Sequence, residues 1–208
     1  MFVRDIMTRN PVSISPGASL REFLSLMTDK TFEAIPVREN GKVTGIVTDW
    51  DIVTNAPNLV SDYLDTTQVK DIMTANVVTV TSDEVVEMAA FHMYFHDLDA
   101  LPVVDGQGEL IGIVTQNDVF RALVTLMGLR AKGTRITLDV PDEKGVLAKV
   151  AGVVRDAGVN ISSLSTYGNP TSGRATVILR VKTEKVQELV EALNREKFKV
   201  VHVSEVWN

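Results

Sequence analysis

Two short stretches of this chain end in the same pair of functional groups. Thr48 and Asp51 close GIVTDWD (45–51), and Thr115 and Asp118 close GIVTQND (112–118), with a hydroxyl three residues ahead of a carboxylate in both. A threonine that ends a strand, followed by an acid in the first turn of a helix, has two chemistries open to it. The pair can cap the helix, taking up orphan amides while the negative charge complements the helix dipole. The same geometry can hold a nucleoside, because a carboxylate accepts two hydrogen bonds from a ribose diol and free amides at a helix start favour a phosphate.

Other reactive groupings are sparse. The chain has no cysteine, which excludes disulfides and thiolate metal sites. His92 and His96 stand four apart on an expected helix, a metal-ligand spacing, but no third ligand shares that face and a structural role is expected. A nucleophile would need an oriented base, and the remaining histidine, His202, lies far along the sequence. Gly106, Gly108 and Gly112 precede a strand rather than open a helix, so they read as a hairpin turn and not a dinucleotide loop. No catalytic residue, catalytic cofactor or metal site is expected, and the chain does not read as an enzyme.

The two Thr–Asp pairs occupy equivalent places in an internal repeat. RDIMTRNPVSIS from Arg4, with AIPVRENGKVTGIVTDWDIV ending at Val53, can be laid over KDIMTANVVTVT from Lys70, with ALPVVDGQGELIGIVTQNDVF ending at Phe120. In each copy a β-branched strand (12–14; 77–80) leads into a helix (18–29; 84–96), then two strands joined by a turn, then a last helix. Asn40-Gly41 suits a two-residue hairpin, whose residues both need positive φ; Asp105-Gly106-Gln107-Gly108 makes a longer one. A unit this small buries its apolar face poorly, whereas two packed sheet to sheet bury it well. The expected object is a pseudo-two-fold pair with two equivalent clefts.

From Thr134 the pattern changes. TRITLDV alternates as a strand, and DEKGVLAKVAGVVRDAG is a helix with Val146, Leu147, Val150, Val153 and Val154 on one face, closed by Gly158. Strands over 160–167 and 175–181, a helix over 184–196 and an edge strand over 199–206 complete a βαββαβ, ferredoxin-like order.

Composition bounds the rest. The 208 residues are 45% hydrophobic and 23% charged, ordinary for a globular protein. A net charge of −6 argues against nucleic acid as a partner. The charge is uneven: 10 Lys and Arg stand against 18 Asp and Glu up to Gly133, and 11 against 9 beyond it. That change places a boundary near 130–133, and the repeat divides what precedes it, giving domains at 1–66, 67–130 and 131–208. The start MFVRDIMTRN lacks the apolar stretch of a signal peptide. No run approaches the roughly 18 apolar residues of a membrane span, so a cytoplasmic location without membrane contact is expected.

DIMT, A-[IL]-P-V and GIVT-x-x-D, in that order over residues 2–129, resemble tandem cystathionine β-synthase (CBS) domains, a Bateman module. The resemblance implies that each cleft takes its T-x-x-D from one repeat and an adenine slot from the other. Thr115 and Asp118 would meet Val12, Ser13, Ala34 and Ile35; Thr48 and Asp51 would meet Val78, Thr79, Ala100 and Leu101. A small alanine among β-branched neighbours makes a flat apolar slot whose strand backbone can bond an adenine edge. Some relatives clamp phosphates with a basic residue just before this strand, but here Glu33 precedes Ala34 and Asp99 precedes Ala100. Carboxylates facing a triphosphate repel it, so among AMP, ATP and S-adenosyl compounds the low-charge ligands are favoured. In relatives, helices such as 119–129 join two modules into a homodimer.

The C-terminal order, with VPDEKGVLAKVAGVVRDAGVNISSL, resembles an ACT domain, a regulatory amino-acid-binding module. The matching residues are Asp142, Gly145, Val146, Leu147, Asn160 and Ile161, and Lys144 stands where a proline is frequent. In relatives the glycine turn lets backbone amides approach a small amino acid's carboxylate at a subunit interface. The plainer reading is that Gly145 only makes the turn and the domain dimerises. The expected architecture is α/β (α+β): a CBS-domain pair followed by a ferredoxin-like ACT domain. It implies a regulatory adenine nucleotide sensor, with a client unassigned by the sequence; the domain order points to acetoin or related carbon metabolism. The competing reading is a structural oligomerisation module with no small-molecule ligand.

Overall fold

The computed structural model describes residues 1–29, 32, 34–55, 61–130, 132–169 and 172–206. The chain divides into two compact units, Met1–Ala122 and Leu123–Asn208.

The first unit holds both repeats. Repeat one supplies β1 (Thr8–Arg9), α1 (Leu20–Asp29), β2 (Ala34–Glu39), β3 (Lys42–Thr48) and α2 (Asp49–Asn55). A short helix not foreseen from sequence, α3 (Ser61–Thr66), leads to repeat two: β4 (Thr74–Ala75), β5 (Val80–Thr81), α4 (Val86–His96), β6 (Ala100–Val104), β7 (Leu110–Thr115) and α5 (Gln116–Leu126). The strand expected over 12–14 contracts to a single bridge, Ile14 to Val37. Pro11 and Pro16 bracket that segment and have no N–H to give a ladder. Its counterpart over 77–80 contracts to β5, parallel to β6.

The repeats are interlocked more closely than their sequences suggest. β1 pairs with β7 of repeat two, Thr8 opposite Ile113 and Arg9 opposite Gly112. Likewise β4 pairs with β3 of repeat one, Gly45 opposite Ala75 and Ile46 opposite Thr74. The last residue of each DIMT segment and the one after it (Thr8–Arg9; Thr74–Ala75) therefore form a strand of the other copy's sheet. This crossing explains the glycine of GIVT. A Cβ on Gly45 would lie 2.7 Å from Met73 Sδ and 2.8 Å from the Thr74 carbonyl oxygen; on Gly112 it would lie 2.7 Å from Met7 Sδ and 3.2 Å from the Thr8 carbonyl oxygen. Only a residue without Cβ lets the partner's DIMT chain pass so closely.

The cores follow the same crossing. Repeat one buries Leu20, Phe23, Ile35, Val37 and Val47 together with Val69 and Ile72 from the second DIMT segment. Between the repeats, the equivalent pairs Ala34 with Ala100 and Ile46 with Ile113 form one buried cluster, the expected pseudo-two-fold seam. Both hairpins also take the expected form: Asn40 and Gly41 have φ of 50° and 86°. In the longer turn, Asp105 Oδ1 accepts the amides of Gln107 and Glu109 at 2.9 Å each, which holds its carboxyl below the ordinary carboxylate value.

The second unit runs β8 (Gly133–Pro141), α6 (Val146–Asp156), β9 (Ile161–Asn169), β10 (Arg174–Val181), α7 (Val186–Arg195) and β11 (Lys199–Val206). These strands form one antiparallel sheet in the order β11-β8-β10-β9. Alternate residues of β8 (Ile136, Leu138, Val140) and β10 (Ala175, Val177, Leu179, Val181) pack on Val146, Val150 and Val154 of α6 and Leu189 and Leu193 of α7. One sheet face is thereby covered by helices, the ferredoxin-like arrangement expected. Gly158, at φ 69°, closes α6 as the sequence indicates, its N–H reaching Arg155 O at 2.8 Å.

Candidate functional site

Both T-x-x-D pairs sit at the junction of the last strand of a repeat and its last helix. Asp118 Oδ2 accepts the Thr115 amide at 3.0 Å and the Thr115 hydroxyl at 2.9 Å, while the Asp118 amide donates back to Thr115 Oγ1 at 3.3 Å. Thr48 and Asp51 repeat the set at 2.8, 2.9 and 3.3 Å. These are reciprocal caps. They also fix the carboxylate: one oxygen of Asp118 is spent on Thr115, and the other, Oδ1, has no partner among the described residues.

A cavity of about 310 Å³ opens over the Thr115–Asp118 junction. Its walls include Val12 and Ala34 from repeat one and Thr115 and Asp118 from repeat two, with Asn117, Arg121 and Phe32 also lining it. Four of the six residues of the first expected site are thus gathered around one space. Ser13 does not line it, and the Ile35 side chain is fully buried in the core of repeat one, so any part Ile35 plays falls to its backbone. Glu33, expected beside the slot, lies outside the described residues.

Sequence reasoning missed Arg121, Asn117 and Phe32. Arg121 follows Asp118 by three residues on α5, the spacing that puts two side chains on one helix face, and that signal was available. The equivalent position in repeat one is Thr54, whose hydroxyl donates to Trp50 O at 2.9 Å. The two repeats therefore differ at this position, with a cation in repeat two and a short hydroxyl in repeat one.

At its core positions the second expected set is buried as the first is. Ala100 and Leu101 are buried, Val78 is half-buried and Thr79 is exposed. Residues 56–60, which follow α2, lie outside the described residues. Asp99 is exposed, and its carbonyl accepts the Gln116 amide at 2.9 Å.

In the second unit Gly145 caps α6 at φ 88° with no side-chain bond, and Asp142, Gly145 and Leu147 are exposed while Val146 is buried. Asn160 and Ile161 lie past the other end of α6, beside a shallow concavity with Gly158 and Val159. Eleven residues of helix span about 16 Å, so one chain does not bring the six residues to one point.

His92 lies 3.5 Å from Glu84 and stacks on His96 with ring centroids 6.1 Å apart. Among the described residues no group of three His, Asp or Glu side chains gathers to hold a metal, and no helix is long and apolar enough to cross a membrane.

The fold and site define a class: a duplicated α/β module that offers a capped Thr–Asp helix start to a cleft between its halves, followed by a ferredoxin-like domain. The CBS domain matches residues 3–58 and 69–125, and the TTHA0829-like ACT domain matches residues 132–204. The chain belongs to the CBS-domain family, as a tandem CBS pair with a C-terminal ACT domain.

Among curated relatives, the homoserine O-acetyltransferase of Methanohalobium evestigatum is 39% identical over 59% of this chain and 24% of its own length. The chain spans about a quarter of the curated relatives it matches first. Among solved structures, the CBS pair of MJ0100 in complex with 5′-methylthioadenosine and S-adenosyl-L-methionine is 28% identical, with a TM-score of 0.54 over 60% of this chain and 97% of that one. CBSX2 in complex with AMP is 31% identical, with a TM-score of 0.51 over 60% and 96%. A Vibrio cholerae structure described as an acetoin utilization protein, AcuB, is 27% identical, with a TM-score of 0.54 over 62% and 95%.

Proposed function

We propose that this protein is a regulatory sensor that binds an adenosine-type ligand in the cleft lined by Val12, Ala34, Thr115 and Asp118. The observation that carries the reading is the cavity itself. Two repeats contribute opposite walls to one space of about 310 Å³, at the lower end of the roughly 300–1,000 Å³ usual for small-molecule sites. A carboxylate stands in it whose second oxygen has no partner among the described residues. Ligands crystallised with similar CBS pairs support the class: AMP in one, 5′-methylthioadenosine and S-adenosyl-L-methionine in another. Arg121 favours a ligand with one phosphate, so AMP ranks ahead of the S-adenosyl compounds and ATP.

The remaining roles follow from the domain order. The ACT domain serves as a dimerising or small-amino-acid-binding partner, and two copies are needed to bring Asp142, Gly145, Val146 and Leu147 toward Asn160 and Ile161. We place the homodimer in the cytoplasm, acting on acetoin or related carbon metabolism; similarity to the Vibrio cholerae acetoin utilization protein supports that target. A non-catalytic role is favoured because the chain matches only about a quarter of the acetyltransferases it resembles, and both of its matched domains are regulatory types.

The reciprocal Thr–Asp bonds favour a second reading, in which the motif only caps helices and the module is structural. Thermal melting against AMP, ATP, S-adenosyl-L-methionine, 5′-methylthioadenosine and amino acids separates the two. A ligand at about 100 times its Kd stabilises its site by about 2.7 kcal/mol. Asp118→Asn keeps an acceptor for Thr115, and so the cap, but removes the charge that holds a ribose diol. The sensor reading expects a melting shift with an adenosine compound that Asp118→Asn abolishes. A flat response across the panel leaves the structural reading.

A further inference from the structure

The helix-free face of the second unit's sheet carries charge that nothing described neutralises. Cross-strand register lines up one row over all four strands: Ser163 on β9 opposite Arg180 on β10, Arg180 opposite Arg135 on β8, and Arg135 opposite Ser204 on β11. Leu179 and Ile136, their neighbours along the strands, point into the core, so the row belongs to the other face. All four residues are half-buried.

Arg135 and Arg180 are like charges directly opposed on the two central strands, an arrangement that costs stability. Arg135 donates from Nη1 to Thr137 Oγ1 at 2.6 Å. Among the described residues neither guanidinium has an ion-pair partner, and Arg180 makes no hydrogen bond. Asp139, the one described carboxylate on this face, is engaged by Arg174 at 2.7 Å and has Lys199 opposite it. Burial and the neighbouring Arg135 both push the Arg180 guanidinium below its ordinary value. The Arg180 stem is held in place: Gly128, at φ +68°, approaches so closely that a Cβ there would lie 2.8 Å from Ser163 Cβ and 3.3 Å from Arg180 Cδ.

Two guanidiniums flanked by two hydroxyls offer a row of donors with no negative charge among them. Guanidinium forks match the oxygen spacing of phosphates and carboxylates, and a doubly charged tetrahedral anion would turn the repulsion of the two arginines into a shared attraction. We propose that the Ser163–Arg180–Arg135–Ser204 row is a binding site for a small dianionic oxyanion of the phosphate type. The site is separate from the adenosine cleft and stands whether or not that cleft is occupied.

The test is a titration of the full chain with inorganic phosphate at constant ionic strength, followed by amide chemical shifts, with acetate as the monoanion control. The expected result is saturable shifts confined to the row and its neighbours, larger for phosphate than for acetate. Arg180→Gln and Arg135→Gln should each weaken binding by at least about tenfold, the loss expected of a charge-assisted hydrogen bond. Melting gives a second readout. Without phosphate, Arg180→Gln should melt at or above the wild type because the repulsion is gone; at saturating phosphate the order should reverse. Shifts that follow ionic strength alone, shifts located elsewhere, or an Arg180→Gln that binds like the wild type would each overturn the proposal. If Arg180→Gln does not fold, Arg135→Gln carries the same test.

Discussion

At the scale of single residues, Arg121 and the two GIVT glycines decide what the cleft can do and what the fold can bear. Arg121 stands in the wall of the Thr115–Asp118 cavity, so a ligand phosphate there would gain a charge-assisted hydrogen bond of about 1.5–3 kcal/mol. Arg121→Ala should therefore weaken AMP by roughly 10- to 100-fold and leave 5′-methylthioadenosine, which has no phosphate, nearly unchanged. Titration calorimetry with both ligands checks this, and equal losses would remove the phosphate role. The GIVT glycines make a sharper structural test because their surroundings differ. A methyl on Gly45 meets backbone oxygen at 2.8 Å, whereas on Gly112 the backbone oxygen is 3.2 Å away and the nearest atom is the flexible Met7 sulfur. Overpacking costs about 1–3 kcal/mol; Gly45→Ala should sit at or above the top of that range and Gly112→Ala near the bottom. Met7→Ala should rescue Gly112→Ala more fully than Met73→Ala rescues Gly45→Ala, as a double-mutant cycle in urea would measure.

At the scale of elements, α4 differs from its twin. Met88, Phe91, Tyr94 and Phe95 are 41%, 51%, 88% and 67% exposed and lie on the side opposite the buried Val86, Ala89 and Met93. The repeat-equivalent residues around α1 are Glu22, Ser25, Thr28 and Asp29, so the apolar face is a property of repeat two and not of the repeat. At about 200 Å² per large side chain, the four expose roughly 500 Å² per chain. Two copies face to face would bury about 1,000 Å², where specific interfaces begin. We expect α4 to pack on α4 of a second copy. Sedimentation should find a dimer whose dissociation constant rises at least about tenfold in the double variant Phe91→Glu, Phe95→Glu, whatever the ACT domain adds to the assembly; an unchanged constant excludes this face. Elements of this kind were legible from sequence where period and turn chemistry agreed: the Asn40-Gly41 hairpin, α6 closed by Gly158, and the βαββαβ order. The crossing of β1 and β4 was not, because a two-residue strand carries no periodicity, and its partner is fixed by a close approach at Gly45 and Gly112 that only coordinates reveal. The cleft was half legible for a related reason. Residue type marked Thr115 and Asp118, but Phe32 enters the wall through tertiary packing alone.

At the scale of the whole molecule, the regulatory reading requires more than binding. Each unit has its own core, and a ligand held in Met1–Ala122 regulates through Leu123–Asn208 only if it favours one state of the chain over another. Coupling between sites is usually about 1–3 kcal/mol, large enough to see in a melting curve. Scanning calorimetry of the full chain should show transitions for both units. An adenosine ligand at about 100 times its Kd contributes about 2.7 kcal/mol, which for a unit of this size raises its transition by on the order of 8 °C. If the ACT domain reports the ligand, its own transition must move as well, by a smaller amount, and Asp118→Asn must cancel both shifts together. A first transition that climbs while the second stays fixed would mean that the adenosine site is real but does not signal through the C-terminal domain, and regulation would then have to pass through the surface of the CBS pair itself.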